Sequence, residues 1–155
     1  MSTVCLLTSL SIAMTLTTSA AMGQTRVCRL LKVEDVNAVF ASTFMQGDAT
    51  RTPTGDSVCP FMNTKEYGIS IALVEKGGAE RFARKQAQSK RASHVTAEDI
   101  AGLGDKALYT HTSSIDEITV LKGDIVIGIA IGPDPAAKTR LEELARRALA
   151  RLESP

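Results

Sequence analysis

Residues 116–132 read DEITVLKGDIVIGIAIG, and this stretch decides the fold. It is two strands joined at Gly123-Asp124, with Gly available for the positive φ of a type II′ turn. Ile125, Ile127, Ile129 and Ile131 recur with the two-residue period that lines one face of a strand. The opposite face carries Val126, Gly128 and Ala130, small enough for close approach of a helix, so the strand is expected to be central in its sheet.

Downstream, PDPAAKTRLEELARRALARLE predicts a helix capped by Asp134 with Pro135 in its first position. Leu141, Leu144, Ala145, Ala148 and Leu152 form its apolar stripe, which is expected to pack on the sheet. Upstream, Leu108–Thr112 reads as a strand. VTAEDIAGLGDKALYT pairs Thr96 with Asp99 in a capping-box pattern, which predicts a short helical turn before Gly102 and Gly104. AERFARKQAQSKR is a helix with Phe82 and Ala83 towards the core. Before it, Tyr67, Ile69, Ile71 and Leu73 alternate as a half-buried strand, and SVCPFM is read as its partner. MQGDATRTPTGD is a polar surface loop. KVEDVNAVFASTF sets Val33, Val36, Phe40 and Phe44 at helical spacing, with Glu34 and Asp35 in the first turn. This order has hairpins and no βαβ alternation. It predicts an α+β domain: an antiparallel sheet of about five strands, helices packed on one face, and a repeated α-β-β theme.

All 18 Lys and Arg and all 17 Asp and Glu lie after residue 25, behind an apolar leader. VCLLTSLSIAM followed by TLTTSAAMGQ has the length and small-residue ending of a signal peptide. Cleavage is expected after Gly23, with Ser19-Ala20-Ala21 as the competing site, leaving residues 24–155 as one exported domain with no membrane span. MSTV carries no Lys or Arg, so the positive region that opens a signal peptide is missing and the start is expected upstream. A lipid anchor is not expected, because Cys5 lies too early and Cys28 follows QTRV. A net charge of +1 implies no polyanionic partner, and an exported chain meets little nucleic acid. Tryptophan is absent and aromatics are few, which leaves little material for an aromatic cage.

Once Cys5 leaves with the leader, Cys28 and Cys59 form an even pair, read as a disulfide in an exported chain. A metal pair or a reactive thiol are the competing readings. Both lack partners, because there is no Cys-x-x-Cys and His94 and His111 lie far along the chain.

Cys28 followed by RLLKVEDVNAVF, a second cysteine some thirty residues on, GLGDKALY, KGD with an aliphatic strand, and RLEELARRALARL occur in that order. Together they resemble a widespread group of bacterial secreted proteins and lipoproteins of unknown function. The resemblance runs from about Cys28 to the C-terminus. It implies a compact exported α+β domain with a disulfide at Cys28 and Cys59, and no known catalysis. Members often cap the first helix with Thr or Ser where this chain has Lys32, and many carry an anchoring cysteine that this chain lacks.

Catalytic residues are not assigned. His94 sits in a polar stretch and His111 alternates with Tyr109 on a short strand; no Gly-x-Ser-x-Gly elbow accompanies either. A metal site from His94, His111 and Asp99 or Asp105 has no supporting spacing, so no metal or cofactor is expected. GLGDKAL precedes a strand instead of opening a helix, so it is a turn and not a phosphate loop. The carboxylate pairs Glu34/Asp35, Asp116/Glu117 and Glu142/Glu143 are read as solvated surface. One anomaly remains: Lys76, Arg81, Arg84, Lys85, Lys90 and Arg91 crowd the second helix. Arg81, Arg84, Lys85, Lys90 and Arg91 form the candidate patch for an anion or partner. The expected function is a non-enzymatic exported binding or interaction module, periplasmic or secreted, with an envelope or extracellular ligand. The alternatives are a hydrolase with a site around His111, or an inhibitor of a secreted hydrolase.

Overall fold

The computed structural model describes residues 25–65 and 67–154, so the leader, its cleavage sites and Cys5 lie outside the described residues. In chain order the elements are α1 (Arg26–Leu30), α2 (Val33–Phe40), β1 (Phe44–Gln46), β2 (Thr50–Arg51), β3 (Ser57–Asn63) and β4 (Gly68–Val74). They continue with α3 (Gly78–Arg91), β5 (Thr96–Ile100), β6 (Lys106–His111), β7 (Asp116–Lys122), β8 (Ile125–Ile131) and α4 (Ala137–Leu152). The fold is α+β with every described ladder antiparallel. The strands run in the order β1-β3-β4-β8-β7-β6-β5, with β2 on the edge of β3. β8 is therefore the central strand, as its isoleucine face and small opposite face predict.

The sheet has eight strands and not about five. Two of the additional strands, β1 and β2, are edge strands of three and two residues: β2 lies inside the stretch read as loop, and β1 runs from Phe44, read as helical, into that stretch. The third, β5, replaces the predicted helical turn at Thr96–Asp99: it lies against β6, with Asp99 opposite Leu108. Each half of the repeated theme thus holds four strands, a meander in β5 to β8 and a hairpin of β3 and β4 edged by β1 and β2 in the first half, and the halves join at β4 and β8.

The helices do not share one face. Cross-strand register puts Ile71, Ile129 and Ile118 in one row and Leu73, Ile127 and Val120 in the next. These side chains, with Phe61 and Cys59, form the main core under α1, α2 and α4, whose Leu141, Leu144, Ala145 and Ala148 are fully buried. On the other face, α3 buries Phe82 against Leu108, Leu121 and Val126. Ala83, expected beside Phe82 in the core, is exposed. Phe82 is the single large apolar side chain that α3 buries, so the helix follows that residue to whichever face receives it.

Local chemistry sets the other boundaries. α2 begins at Val33 although Lys32 is a poor cap, because the Lys32 N–H donates to Asp35 Oδ2 at 2.9 Å. It ends at Ala41, and Phe44 turns into β1, where its N–H donates to Asn37 Oδ1 at 2.7 Å. α4 starts at Ala137 and not at Pro135. Asp134 still organises this entry, accepting the Ala136 N–H on Oδ1 at 2.7 Å. The Gly123-Asp124 turn has positive φ only at Gly123 among its two central residues, in keeping with type II′. Asp105 of the GLGD turn clamps that hairpin by accepting the Gly123 N–H at 2.6 Å.

Two carboxylates read as solvated are buried: Asp35 at 7 % exposure and Asp116 at 1 %. Asp35 ties α2 to α4 through Arg151 at 2.6 Å and Arg147 at 3.3 Å. Burial, the largest single effect, opposes its ionisation. Hydrogen bonds from Arg151, the Lys32 N–H and Arg147, with the charge of Arg151, outweigh burial and hold the carboxyl below the ordinary 3.8. A depressed folded pKa contributes stability above the unfolded value, which is lost as pH falls through the folded one. Asp35→Asn should cost about 1 to 2 kcal/mol at neutral pH. Its stability should also fall less steeply than wild type in urea melts below about pH 4. Parallel pH profiles would remove the assignment.

Candidate functional site

The hairpin that centres the sheet also places α3. Asp124 accepts the Gly77 N–H on Oδ2 at 2.8 Å and the Ala79 N–H on Oδ1 at 3.1 Å, while its carbonyl takes the Gly78 N–H at 3.0 Å. The N–H groups of Ala79 and Gly77 hold the Asp124 carboxyl below the usual carboxylate range. Fixed there, α3 crosses Val74, Val126, Leu121 and Leu108 and leaves the rest of this sheet face open.

Between α3 and the open face lies a groove of about 520 Å³. Its floor is Ala72, Val74, Val126 and Gly128, alternate residues of β4 and β8 that pair in register. The helix wall supplies Arg81, Arg84, Lys85, Gln88 and Ser89; Asp56, just before β3, flanks the floor on one side and Glu117 and Thr119 of β7 on the other. Two ion pairs cross it, Arg81 with Asp56 and Lys85 with Glu117. Thr119 Oγ1 donates to the same Glu117 oxygen at 3.2 Å. Arg84 pairs with Glu80, 3.6 Å away, and both are exposed.

The predicted basic patch is therefore divided. Arg81, Arg84 and Lys85 meet in the groove. Lys90 turns to Asp99 of β5, which Gln86 also reaches at 2.6 Å, and Arg91 is exposed at the helix end. Sequence reading missed Asp56, Glu117 and Thr119, the acids and hydroxyl that complete the site. The small residues of β8 and the basic helix were its visible signals.

Further along the same face lies a second hollow of about 370 Å³. Ser70 pairs with Ala130 directly beyond the Ala72 and Gly128 pair, and the Glu117 carboxylate, held by Lys85, leans over Gly128 on the β7 side. Pro60, Met62, Gly68, Ile115 and Gly132 complete it, with no charged residue. Among the described residues Met45, Met62 and Ile115 are the exposed large hydrophobics, at 65, 44 and 44 %.

His111 lies on the main-core face, with Nδ1 2.7 Å from Asp116 Oδ1. Asp116 also accepts from Tyr109 Oη at 2.5 Å and from the Asp134 N–H at 3.3 Å, tying β6 and β7 to the entry of α4. Burial and the Asp116 hydrogen bond raise the Tyr109 phenol well above its ordinary range. Asp116 is the only hydrogen-bond partner of the His111 side chain among the described residues, and it shares its Oδ1 with the Tyr109 hydroxyl. No described group of three or more His, Cys, Asp or Glu is placed to hold a metal ion.

Cys28 of α1 and Cys59 of β3 are joined as a disulfide, both buried in the main core. Gln46 Nε2 donates to the Cys28 carbonyl at 2.8 Å beside it. No described helix is long and apolar enough to cross a membrane.

Fold and groove together define an α+β domain in which one antiparallel sheet is covered on one face and half-covered on the other. No family model, curated protein or solved structure matches the chain.

Proposed function

We propose that this chain is an exported, non-catalytic binding domain of the group of bacterial secreted proteins it resembles, and that its ligand lies in the groove beside α3. The carrying observation is the half-open sheet face: a floor of small side chains beside a wall of cations, with an uncovered apolar hollow further along the same face. Contiguous exposed apolar surface rimmed by polar groups is what ligand and partner sites present. Export is supported by the apolar leader and by the buried disulfide, a bond that persists in oxidising compartments.

The test is a melting-temperature screen of lipids, glycans and peptides against wild type and Ala72→Phe, whose ring would occupy the groove floor. Binding at 100 times Kd adds about 2.7 kcal/mol, a shift of several degrees. At least one ligand class should raise the wild-type transition and leave Ala72→Phe unmoved. Silence across the screen, or equal shifts in both chains, would reject the groove.

A further inference from the structure

We infer, resting on the groove reading above, that the ligand is a single-chain amphiphile of the fatty-acid type, with an anionic head at α3 and an apolar tail along the open sheet. Polarity changes along one face of the sheet, from the charged groove to the apolar hollow beyond it. At its α3 end, three cations face two carboxylates, which leaves one positive charge in excess. That excess falls on Arg84, whose partner Glu80 stands outside the lining, 3.6 Å away and 80 % exposed. At the other end, the hollow over Ser70, Ala130 and Met62 has no charged lining. From Val126 to Gly132 the floor runs roughly 20 Å at the rise of an extended strand.

Other occupants fit less of this surface. A ligand polar throughout would leave the Met62 and Ile115 hollow uncovered. A wholly apolar one would strip water from the Arg81–Asp56 and Lys85–Glu117 pairs and return nothing to them. A peptide strand would need an open edge, whereas β4 and β8 are paired on both sides and offer only side chains. An anionic head meets Arg84, and the tail covers the small residues and the methionine.

The experiment titrates the protein below micelle concentrations with laurate, dodecanol and dodecyltrimethylammonium, read by calorimetry and by amide NMR shifts. Laurate should bind at one saturable site and shift the amides of Ala72, Gly128 and Ala130 in the wild-type chain. Dodecanol should bind about tenfold more weakly, in line with loss of a charge-assisted contact. The cationic detergent should not bind. Arg84→Gln, an exposed substitution that leaves both crossing ion pairs in place, should weaken laurate about fivefold and leave dodecanol unchanged. Equal binding of all three amphiphiles, laurate shifts confined to another surface, or binding only to anionic vesicles would overturn the proposal. If laurate fails while another class binds and Ala72→Phe abolishes it, the amphiphile is wrong and the groove stands. If Ala72→Phe changes nothing for any binder, the groove itself falls.

Discussion

Replacing Cys28 and Cys59 together with serine should cost about 3 to 4 kcal/mol, the entropic value for opening a loop of this length. The bond spans 31 residues, so the unfolded chain regains a large closed segment. Because both sulfurs are buried, at 4 and 0 % exposure, two serine hydroxyls would also enter the core without their water. The expected loss in melting temperature is roughly 10 to 15 °C for a domain of this size. Urea titration of the double variant beside wild type measures it. A change below about 1 kcal/mol would show that α1 is held by packing alone and that the bond constrains little.

Gly78→Ala should destabilise by about 2 to 3 kcal/mol. The ordinary expectation has the opposite sign, since alanine is the better helix former by about 0.5 to 1 kcal/mol. Here the added methyl would sit 2.4 Å from the Asp124 carbonyl oxygen and 3.0 Å from the Val126 nitrogen, both backbone atoms of the central hairpin. Neither can swing aside as a side-chain tip would. Either α3 lifts from the sheet, taking Phe82 from its pocket and breaking the Asp124 cap, or β8 shifts in the middle of the sheet. Thermal melts with and without the substitution decide: a stabilised variant would mean that helix and hairpin are not in contact as described.

Where structure follows from neighbours in sequence, it was legible. The hairpin at Gly123, the central place of β8 and the stripe of α4 are periodic within a few residues. The α+β class and the antiparallel ladders follow from them. β1 and β2 are too short to show a period, and they exist because β3 offers an edge. β5 has the composition of a capped helix and is a strand because β6 pairs with it and α3 supplies Lys90 and Gln86 to Asp99. The side taken by α3 turns on one phenylalanine. Burial of Asp35 depends on arginines 112 and 116 positions away, which no local reading of a first-turn acid reaches. The candidate site divides in the same way. Its floor and its cations were visible as small residues and a basic helix. Its acids were not, because Asp56 meets Arg81 across 25 positions and Glu117 meets Lys85 across 32.

The closing role of α4 has a consequence for the order of events as the chain is made. The meander from β5 to β8 assembles from near neighbours, yet its place beside β4 joins residues such as Ile71 and Ile129 that are far apart in sequence. Contacts of that range are slow to form. Even after they form, Ile118 and Ile129 lie bare and Asp35 has no arginine until α4 arrives. A nascent chain ending at β8 therefore has half a core and an unneutralised carboxylate, so folding waits for the last helix to emerge. A polypeptide that stays pliable until then is one that a translocation channel can still thread.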